Sequence, residues 1–455
     1  MSRPPASRRR VVVATTDPLT SRLAGPGIRA LAIAEALAAE HDVRLVTTDA
    51  ASRQGAGFAI RSVDERGLRA AEKWCDVLVV QGWMLSGRPF LAGSTKVLVC
   101  DLYDPLHLEA LEQGRDLDPA ARADAVAAST AVLNEQLRRG DFFLCASDRQ
   151  RDFWLGHLAS LGRVNPLTYD EEPTLRALIA VVPFGIPSTP PARRVPAIRG
   201  VVPGIGTGDR IVLWGGGIYN WLDPLTVIRA VDRLRADHPG LRLFFLGLSH
   251  PSPDVPAMRT SVQARALSDR LGLTGTHVFF NEGWVDYESR QDYLLEADIG
   301  VSAHIDHLES SLSFRARILD YLWAGVPVVA TRGDVLADLV ERRGLGTTVA
   351  AGDEGAMAAA LGSLLDDADL HRRCRDNIAA VVPELTWPRV LAPLVEFCRA
   401  PRRAPDLIAR TGGGAVGWKG WRHDASVGLD YLRRGGPRLV AEKAWARARR
   451  LAGGR

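Results

Sequence analysis

The chain has 455 residues, of which 24% are charged and 46% are hydrophobic. At roughly 150 residues per domain, this length predicts two large domains with additional segments. Five scattered cysteines, none in a C-x-x-C motif, argue against a disulfide framework or structural zinc site and favour a reducing compartment. No apolar run reaches the roughly 18 residues that a membrane span needs, and the basic N-terminus leads into strand-like VVVATT, a poor match to a signal peptide.

The net charge of +4 is unevenly distributed. Residues 401–455 hold 13 Lys and Arg against 4 Asp and Glu, a net charge of +9. Residues 1–400 therefore hold 44 against 49, a net charge of −5. An acidic body with a basic tail is not typical of a nucleic-acid binder, so no nucleic-acid partner is expected.

The first half of the chain has the pattern of an α/β domain. Residues 11–16 (VVVATT) predict a buried strand, Gly25-Pro26-Gly27 a loop and Ile28–Glu40 a helix, and the sequence DVRLVTT predicts the next strand. Such a unit typically opens a doubly wound sheet. Further strand-length apolar runs have helical patterns between them. They are Val77–Val80, Val97–Cys100 and Phe142–Cys145.

The pattern restarts after a proline-rich break. Six prolines fall between Pro183 and Pro203, a composition that marks a linker. Residues 211–214 (IVLW) then predict a strand, Gly215-Gly216-Gly217 a glycine loop, and Pro224–Ala236 a helix. The later predicted strands are Leu243–Leu246, His277–Phe280, Ile299–Ser302 and Val326–Ala330.

The sequence therefore predicts two successive Rossmann-like domains that face each other across a cleft. In open α/β sheets, ligands bind beyond the carboxyl ends of the strands, so the cleft is the expected active site. The predicted divisions are 1–190 for the N-terminal acceptor domain, 191–210 for the Pro/Gly-rich linker, 211–385 for the donor-binding domain, 386–400 for a helix returning to the first domain, and 401–455 for the basic tail.

Three stretches resemble retaining GT-B glycosyltransferases of family 4. Residues 297–331 resemble that family's donor-site region, and Ala324-Gly325-Val326-Pro327-Val328-Val329 contains the G-x-P-V-V part of its A-x-G-x-P-V-V motif. Residues 25–29 (GPGIR) resemble its N-terminal glycine loop, and residues 386–398 its late helix. The resemblance covers about residues 10–400. It implies a GT-B fold and transfer of a sugar, with retention, from a nucleoside-diphosphate-sugar to a hydroxyl acceptor.

The chain departs from the family at its charged positions. The second acid of the family's E-x7-E pair is Asp320, but Leu312 stands at the first position and the nearest acid is Glu309. The two places where the family often has Arg and Lys for the diphosphate hold Gly217 and Leu222.

A diphosphate leaving group needs its charge stabilised by backbone amides, a helix N-terminus or arginines. The helix carrying Asp320 is expected to begin near Ser313, with Arg315 and Arg317 in its first turn. Because residues two apart on a helix point about 200° apart, only one of these arginines is expected to face the ligand and replace the missing basic pair. A surface salt bridge is the alternative. By resemblance Asp320 holds the donor ribose, with a solvated aspartate as the alternative.

Other residues are candidates for donor binding at the strand ends. Trp284 fits either a stacking contact with the base or a core position, and Tyr219-Asn220 fit the sugar pocket. His304 and Glu309 fit sugar or phosphate contacts better than a metal site, because no fixed helical geometry supports one. The full candidate set for the donor is Gly27, Gly216, Gly217, Tyr219, Asn220, Trp284, His304, Glu309, Arg315, Arg317 and Asp320.

Catalytic candidates follow the predicted strand Val97–Cys100. Family members often carry a polar residue there, near the reacting carbon. Asp101, Asp104 and His107 are the candidates, although Asp104 before Pro105 also fits an ordinary turn. No strong protein nucleophile is expected, because in this family the departing phosphate is thought to take the acceptor proton itself.

The predicted protein is thus a metal-independent glycosyltransferase without a cofactor, acting on a glycan or lipid-linked acceptor in polysaccharide or glycoconjugate synthesis of the cell envelope. Two alternatives are a GT-B sugar-nucleotide epimerase and a non-catalytic nucleotide-sugar-binding protein. A cytoplasmic location is expected, with peripheral contact to the plasma membrane through the amphipathic stretch Leu439–Leu451 or else a solvated tail.

Overall fold

The computed structural model describes residues 8–248 and 258–411, together with residues 429, 432, 433, 436–438 and 440–442. The chain forms two compact units, Met1–Asp406 and Leu407–Arg455. Both α/β sheets lie in the first unit, which confirms the predicted pair of doubly wound domains.

The first sheet has seven parallel strands in the order β3-β2-β1-β4-β5-β6-β7. Its strands are β1 Arg10–Thr15, β2 Asp42–Thr47, β3 Ala59–Ser62, β4 Val77–Gln81, β5 Val97–Asp101, β6 Phe142–Cys145 and β7 Ile179–Val181. The central strands are apolar and buried on both faces, as a sheet covered by helices on both sides requires. The two outer strands, β3 and β7, were not predicted, because both are short and β3 is partly exposed.

Seven helices accompany this sheet. They are α1 Gly25–Ala38, α2 Glu65–Trp74, α3 Pro89–Ala92, α4 Leu106–Gln113, α5 Pro119–Arg139, α6 Asp148–Ser160 and α7 Pro166–Glu171. Helix α1 begins at Gly25, so the predicted glycine loop is in fact the first turn of a helix. Pro26 fits there because the first helical N–H groups have no partner within the helix.

The second sheet has six parallel strands in the order β10-β9-β8-β11-β12-β13. They are β8 Arg210–Trp214, β9 Leu241–Phe245, β10 Val278–Phe280, β11 Ile299–Ser302, β12 Val328–Thr331 and β13 Gly346–Val349. Its helices are α8 Pro224–Leu234, α9 Arg259–Arg270, α10 Arg290–Leu294, α11 Leu308–Leu312, α12 Ala316–Trp323, α13 Val335–Arg343, α14 Glu354–Asp366 and α15 Ala368–Val381.

The segments that join the domains are held in place. The carboxylate of Glu296, which is buried, accepts hydrogen bonds from three consecutive backbone N–H groups of residues 197–199 in the connecting segment. After the second sheet, α16 (Trp387–Val390) and α17 (Ala392–Arg399) pack on the first domain. Phe397 stacks on Phe142 with 4.2 Å between the ring centroids.

The C-terminal tail is described only in part. A last helix, α18, covers Pro405–Thr411, and the described tail residues beyond it are helical. Within the described residues, no helix has the length and apolar character needed to cross a membrane. Most of the predicted amphipathic stretch, including Leu439, Trp445 and Leu451, lies outside the described residues, so its membrane contact stays a prediction.

Candidate active site

The carboxyl ends of the two sheets face one cleft, which contains a cavity of about 250 Å³. The domains are in contact across it. Trp284 Nε1 donates to the carbonyl oxygen of Leu23 at 3.1 Å, and Gln150 Nε2 donates to that of Leu312 at 2.7 Å. First-domain residues lining the cavity are Leu23, Ala24, Gly25, Ile28, Phe184 and Gly185. The structure therefore shows the cleft in a closed arrangement with space for a ligand.

Three glycines form the loop after β8 and line the cavity. Gly216 has φ of +74°, a left-handed conformation that favours glycine. The loop is tied to α12, because the Gly215 N–H donates to the Tyr321 hydroxyl oxygen at 2.6 Å. That hydroxyl also lies 2.9 Å from the carbonyl oxygens of Leu213 in β8 and Val301 in β11. Tyr321 thus fixes the glycine loop against two neighbouring strands.

The N-terminus of α12 faces the cavity, as the sequence predicts, but the helix begins at Ala316 and not near Ser313. The unpredicted helix α11 ends just before it, with extended backbone at Ser313. Arg315 precedes the helix and Arg317 lies in its first turn. Both line the cavity, so the expectation that only one would do so is wrong. The 200° argument applies only when both residues are helical, which Arg315 is not.

The two arginines differ in their partners. Arg315 Nη2 donates to Glu309 Oε2 at 2.8 Å, and both side chains are buried, so this charge is neutralised. Arg317 Nη2 donates to the carbonyl oxygen of Gly217 at 2.9 Å, and its guanidinium lies over the Trp214 ring at 4.7 Å. Among the described residues, Arg317 has no carboxylate partner, and its Nη1 has no hydrogen-bond partner. Burial lowers the pKa of Arg317 to about 10, which leaves it charged at neutral pH.

Asp320 also lines the cavity, beside an arginine that the sequence analysis missed. Arg290 Nε donates to Asp320 Oδ1 at 3.2 Å, and Arg290 Nη1 donates to the carbonyl oxygen of Tyr287 at 2.7 Å. The guanidinium stacks 3.7 Å from the centroid of the Tyr287 ring. Arg290 thereby orients the carboxylate of Asp320 while the other oxygen stays available. No motif or spacing links the two residues, so only the fold brings them together.

The remaining donor-site candidates divide into two groups. Tyr219 and Trp284 line the cavity with Gly216 and Gly217. Four candidates do not line the cavity: Gly27, Asn220, His304 and Glu309.

The buried candidates have structural partners. Asn220 Oδ1 accepts from the Thr260 N–H at 3.2 Å. His304 is 1% exposed, with Nε2 at 3.4 Å from Asp334 Oδ2. The backbone N–H of Gly27 donates to Asp17. The structure therefore gives these three residues local roles and does not place them against the cavity.

The three catalytic candidates of the first domain are also separated by the fold. Asp101 is completely buried in a bidentate ion pair with Arg29, with Nε–Oδ2 and Nη2–Oδ1 distances of 2.6 and 2.8 Å. His107 stacks on Phe153, and burial together with the charge of His157 lowers its pKa to about 4. These residues are not positioned to act on a ligand in the cavity.

Asp104 is part of a carboxylate cluster that the sequence analysis did not identify. It hydrogen-bonds to Glu109 of α4, and it acts electrostatically on Asp17, which follows β1. Burial, then the charge of Asp104, raises the pKa of Asp17 to about 7. Burial raises the pKa of Glu109 well above its ordinary value. All three carboxyl groups act electrostatically on Tyr219, which lines the cavity, and none of the three lines the cavity itself.

The second domain matches a known family. Residues 209–367 match the family model described as "Glycosyl transferases group 1". A 2-deoxystreptamine N-acetyl-D-glucosaminyltransferase of Streptomyces fradiae is 28% identical over 254 residues, which covers 54% of this chain and 54% of that protein. The match thus spans about half the length of that curated relative.

Solved structures resemble the whole two-domain unit. WaaG, a glycosyltransferase involved in lipopolysaccharide biosynthesis, aligns with a TM-score of 0.60 at 16% identity, over 86% of this chain and 100% of that one. Anabaena HepE in complex with UDP-glucose aligns with a TM-score of 0.61 at 14% identity, over 86% and 99%. The chain therefore has the GT-B fold of these structures, as the sequence predicts, and its second domain is similar to glycosyl transferases group 1.

Proposed function

We propose that this GT-B chain, whose second domain matches glycosyl transferases group 1, moves a sugar from a nucleoside-diphosphate-sugar to a hydroxyl acceptor. The observation that carries the proposal is Arg317. It presents a charged guanidinium, without a carboxylate partner among the described residues, to a cavity at the N-terminus of α12. A cation at a helix N-terminus opposes the helix dipole, and a bound anion removes that conflict.

The donor fits this side of the cleft in one orientation. Its diphosphate binds Arg317, the first N–H groups of α12 and the amides of the glycine loop, which together replace the family's missing Arg and Lys. The ribose hydroxyls bind Asp320, whose carboxylate Arg290 holds in place. Trp284, at the edge of the same cavity, is available to the nucleobase.

The acceptor binds from the first domain, where Asp104 acts electrostatically on the cavity-lining Tyr219. The closed cleft excludes water, which favours transfer over hydrolysis. Retention at the anomeric carbon follows from the resemblance to family 4, with the departing phosphate as the group that takes the acceptor proton. The diphosphate charge is stabilised by amides and guanidinium, so we propose a reaction that needs neither metal nor cofactor.

The relatives indicate which donors and pathways to consider first. HepE was solved with UDP-glucose, and the Streptomyces relative is named for the transfer of N-acetyl-D-glucosamine. We therefore propose a UDP-sugar as the leading donor. WaaG acts in lipopolysaccharide biosynthesis. Together with the basic tail, this supports synthesis of an envelope polysaccharide or glycoconjugate at the cytoplasmic face of the membrane.

A two-step experiment tests the proposal. A thermal-shift screen of the full chain with UDP-, GDP-, dTDP- and ADP-sugars measures donor binding, because a ligand of the folded state raises apparent stability. Donor turnover is then measured with and without hydroxyl acceptors. Acceptor-dependent release of the nucleotide supports transfer. Formation of an epimer without acceptor identifies an epimerase instead, and binding without turnover identifies a non-catalytic protein.

A further inference from the structure

A second cavity adjoins the donor cavity, which is the space of about 250 Å³ at the N-terminus of α12. The second cavity has a volume of about 810 Å³. Its walls come from α1 of the first domain, from residues 187–188, from residues 287–288 of the second domain, and from α16 and α17. Small-molecule sites typically have volumes of about 300–1,000 Å³, and this cavity has no part in the proposed reaction.

The charged side chains of this second cavity are mostly acidic. Four glutamates and two arginines line it, a net charge of −2. Arg399 binds two of the glutamates, because it donates to Glu40 Oε1 and to Glu396 Oε2 at 2.6 Å each. Arg53 donates to Glu288 Oε1 at 2.6 Å. Both arginines are therefore already paired, which makes the cavity a poor site for an anion.

Glu35 is the remaining lining carboxylate, and it has no ion pair or hydrogen bond within the described part of the chain. Arg53 acts on it electrostatically, but its guanidinium is bonded to Glu288. Loss of water to the surrounding walls raises the pKa of Glu35, and the charge of Glu288 adds to this effect. A carboxylate that has lost water without gaining a partner is stabilised by a cation.

Most of the remaining lining is apolar. Leu31, Ala32 and Ala36 lie on the same face of α1 as Glu35, because residues three and four apart on a helix are neighbours. Trp387 of α16 lines the cavity as well, and aromatic rings attract cations. Within the described residues, no three His, Cys, Asp or Glu side chains are placed to hold a metal ion. The lining therefore matches an organic cation with an apolar body.

The two cavities share part of their walls. Ile28 and Tyr287 line both of them. The Tyr287 ring lies 3.7 Å from the guanidinium of Arg290, which donates to Asp320 in the donor cavity. The backbone N–H of Tyr287 donates to the carbonyl oxygen of Ser21 at 2.8 Å and so joins the two domains. A ligand that packs against Tyr287 thus contacts the support of the donor site.

We propose that this second cavity binds an organic cation with an apolar body, of the arylalkylamine class, whose ammonium group binds Glu35 while its ring packs between α1 and α16. Both domains form the cavity in the closed arrangement, so the bound cation favours closure and strengthens donor binding. The effect on the donor rests on the proposed glycosyltransferase function, whereas the site itself does not.

Matched probes test the site on the full chain without donor. The dissociation constant of 2-phenylethylamine, measured by calorimetry, is compared with those of 2-phenylethanol, phenylacetate and spermidine. We expect the amine to bind about tenfold more tightly than the alcohol, the scale of one charge-assisted hydrogen bond. Phenylacetate should bind least, and spermidine, which lacks the ring, should bind less tightly than the arylalkylamine. Equal binding of amine and alcohol, or tighter binding of spermidine, overturns the proposal.

Variants locate the bound amine. Glu35→Gln should weaken amine binding about tenfold and leave alcohol binding nearly unchanged. Glu135→Gln is the matched control, because burial also raises the pKa of this helical glutamate, which does not line the cavity. Ala36→Phe places a ring in the cavity and should weaken both probes. Amine binding that survives in Glu35→Gln contradicts the assignment.

The coupling is measured as the affinity for UDP with and without saturating 2-phenylethylamine. We expect the amine to strengthen UDP binding about threefold in the unsubstituted chain and to have no effect in Ala36→Phe. An unchanged UDP affinity overturns the coupling. If the amine binds at Glu35 but no nucleotide binds at all, the proposed donor function fails and the second site stands.

A second copy of the chain is the alternative occupant of this face. Light scattering on the same samples gives the mass in solution. A dimer that Ala36→Phe disrupts, and that does not respond to the amine, would assign the face to a second copy and overturn the proposal.

Discussion

The two walls of the cleft, one formed by each domain, carry side chains of opposite charge. The second-domain wall combines a glycine loop, a helix N-terminus and Arg317, which has no carboxylate partner among the described residues. The first domain carries the carboxyl groups of Asp17, Asp104 and Glu109, which act electrostatically on the cavity-lining Tyr219. Burial disfavours the charged form on both sides, because it lowers the pKa of Arg317 and raises the pKa of Asp17 and of Glu109.

Each domain also contains a buried ion pair whose two charges neutralise each other within the fold. On the first-domain side, Arg29 and Asp101 neutralise each other in a completely buried pair. On the second-domain side, Arg315 and Glu309 do the same. Each wall therefore contains one compensated ion pair, together with one or more groups that form no ion pair with a described residue. Replacing a member of a compensated pair should reduce stability, whereas replacing an uncompensated group should reduce binding.

The largest expected effect is on stability, at Asp101. Asp101→Asn leaves the buried guanidinium of Arg29 without its counter-charge, and breaking such a pair costs about 3–5 kcal/mol. The free energy of unfolding is measured by chemical denaturation. Asp104→Asn, three residues further along, is the matched control and should change that free energy by less than about 1 kcal/mol, because it removes a repulsive charge. Equal losses in the two variants would contradict the distinction between them.

The next effect is on donor binding, at Arg317. Arg317→Ala should lower kcat/KM by about 100-fold, the scale for removal of one preorganised group that stabilises transition-state charge. Stability should not fall, because the substitution removes a cation from the N-terminus of α12. Arg317→Lys should retain part of the activity, since a point charge replaces the planar guanidinium.

Two controls sharpen this result. Arg270→Ala removes an exposed arginine at the end of α9 and should leave kcat/KM unchanged. Arg315→Ala should reduce stability, because it leaves the buried carboxylate of Glu309 unpaired. If Arg317→Ala retains the donor affinity of the unsubstituted chain, Arg317 does not replace the missing basic residues.

The sequence was sufficient to predict the fold and several of the residues that line the cavity. Strand-length apolar runs and glycine loops identified both sheets, because buried parallel strands have a recognisable composition. Arg317, Asp320 and the Gly216–Gly217 loop were identified because they belong to one continuous stretch or resemble a motif. The start of α12 was misplaced by three residues, because α11 and an extended Ser313 precede it.

The acidic wall could not be predicted in the same way. Asp17, Asp104 and Glu109 belong to three separate elements, and only the topology of the first sheet brings them together. The sequence analysis grouped Asp101 and His107 with Asp104 as catalytic candidates, because all three follow the same predicted strand. The strand end directs Asp101 to Arg29, while His107 packs on Phe153. Adjacent positions in the sequence therefore have unrelated environments.

The smallest effect is expected at Tyr321, which supports the donor wall without touching the carboxylate cluster. Tyr321→Phe removes the hydroxyl that accepts from the Gly215 N–H and lies between the carbonyl oxygens of Leu213 and Val301. Loss of this buried partner should lower the free energy of unfolding by about 1–2 kcal/mol. It should also weaken donor binding a few-fold, because the glycine loop loses its attachment to α12.

Tyr293→Phe is the matched control, because the Tyr293 hydroxyl makes no hydrogen bond to a described residue. The control should leave both the free energy of unfolding and the donor KM nearly unchanged. Equal losses of stability and of donor affinity in Tyr321→Phe and Tyr293→Phe would contradict the conclusion that the Tyr321 hydroxyl holds the glycine loop in place.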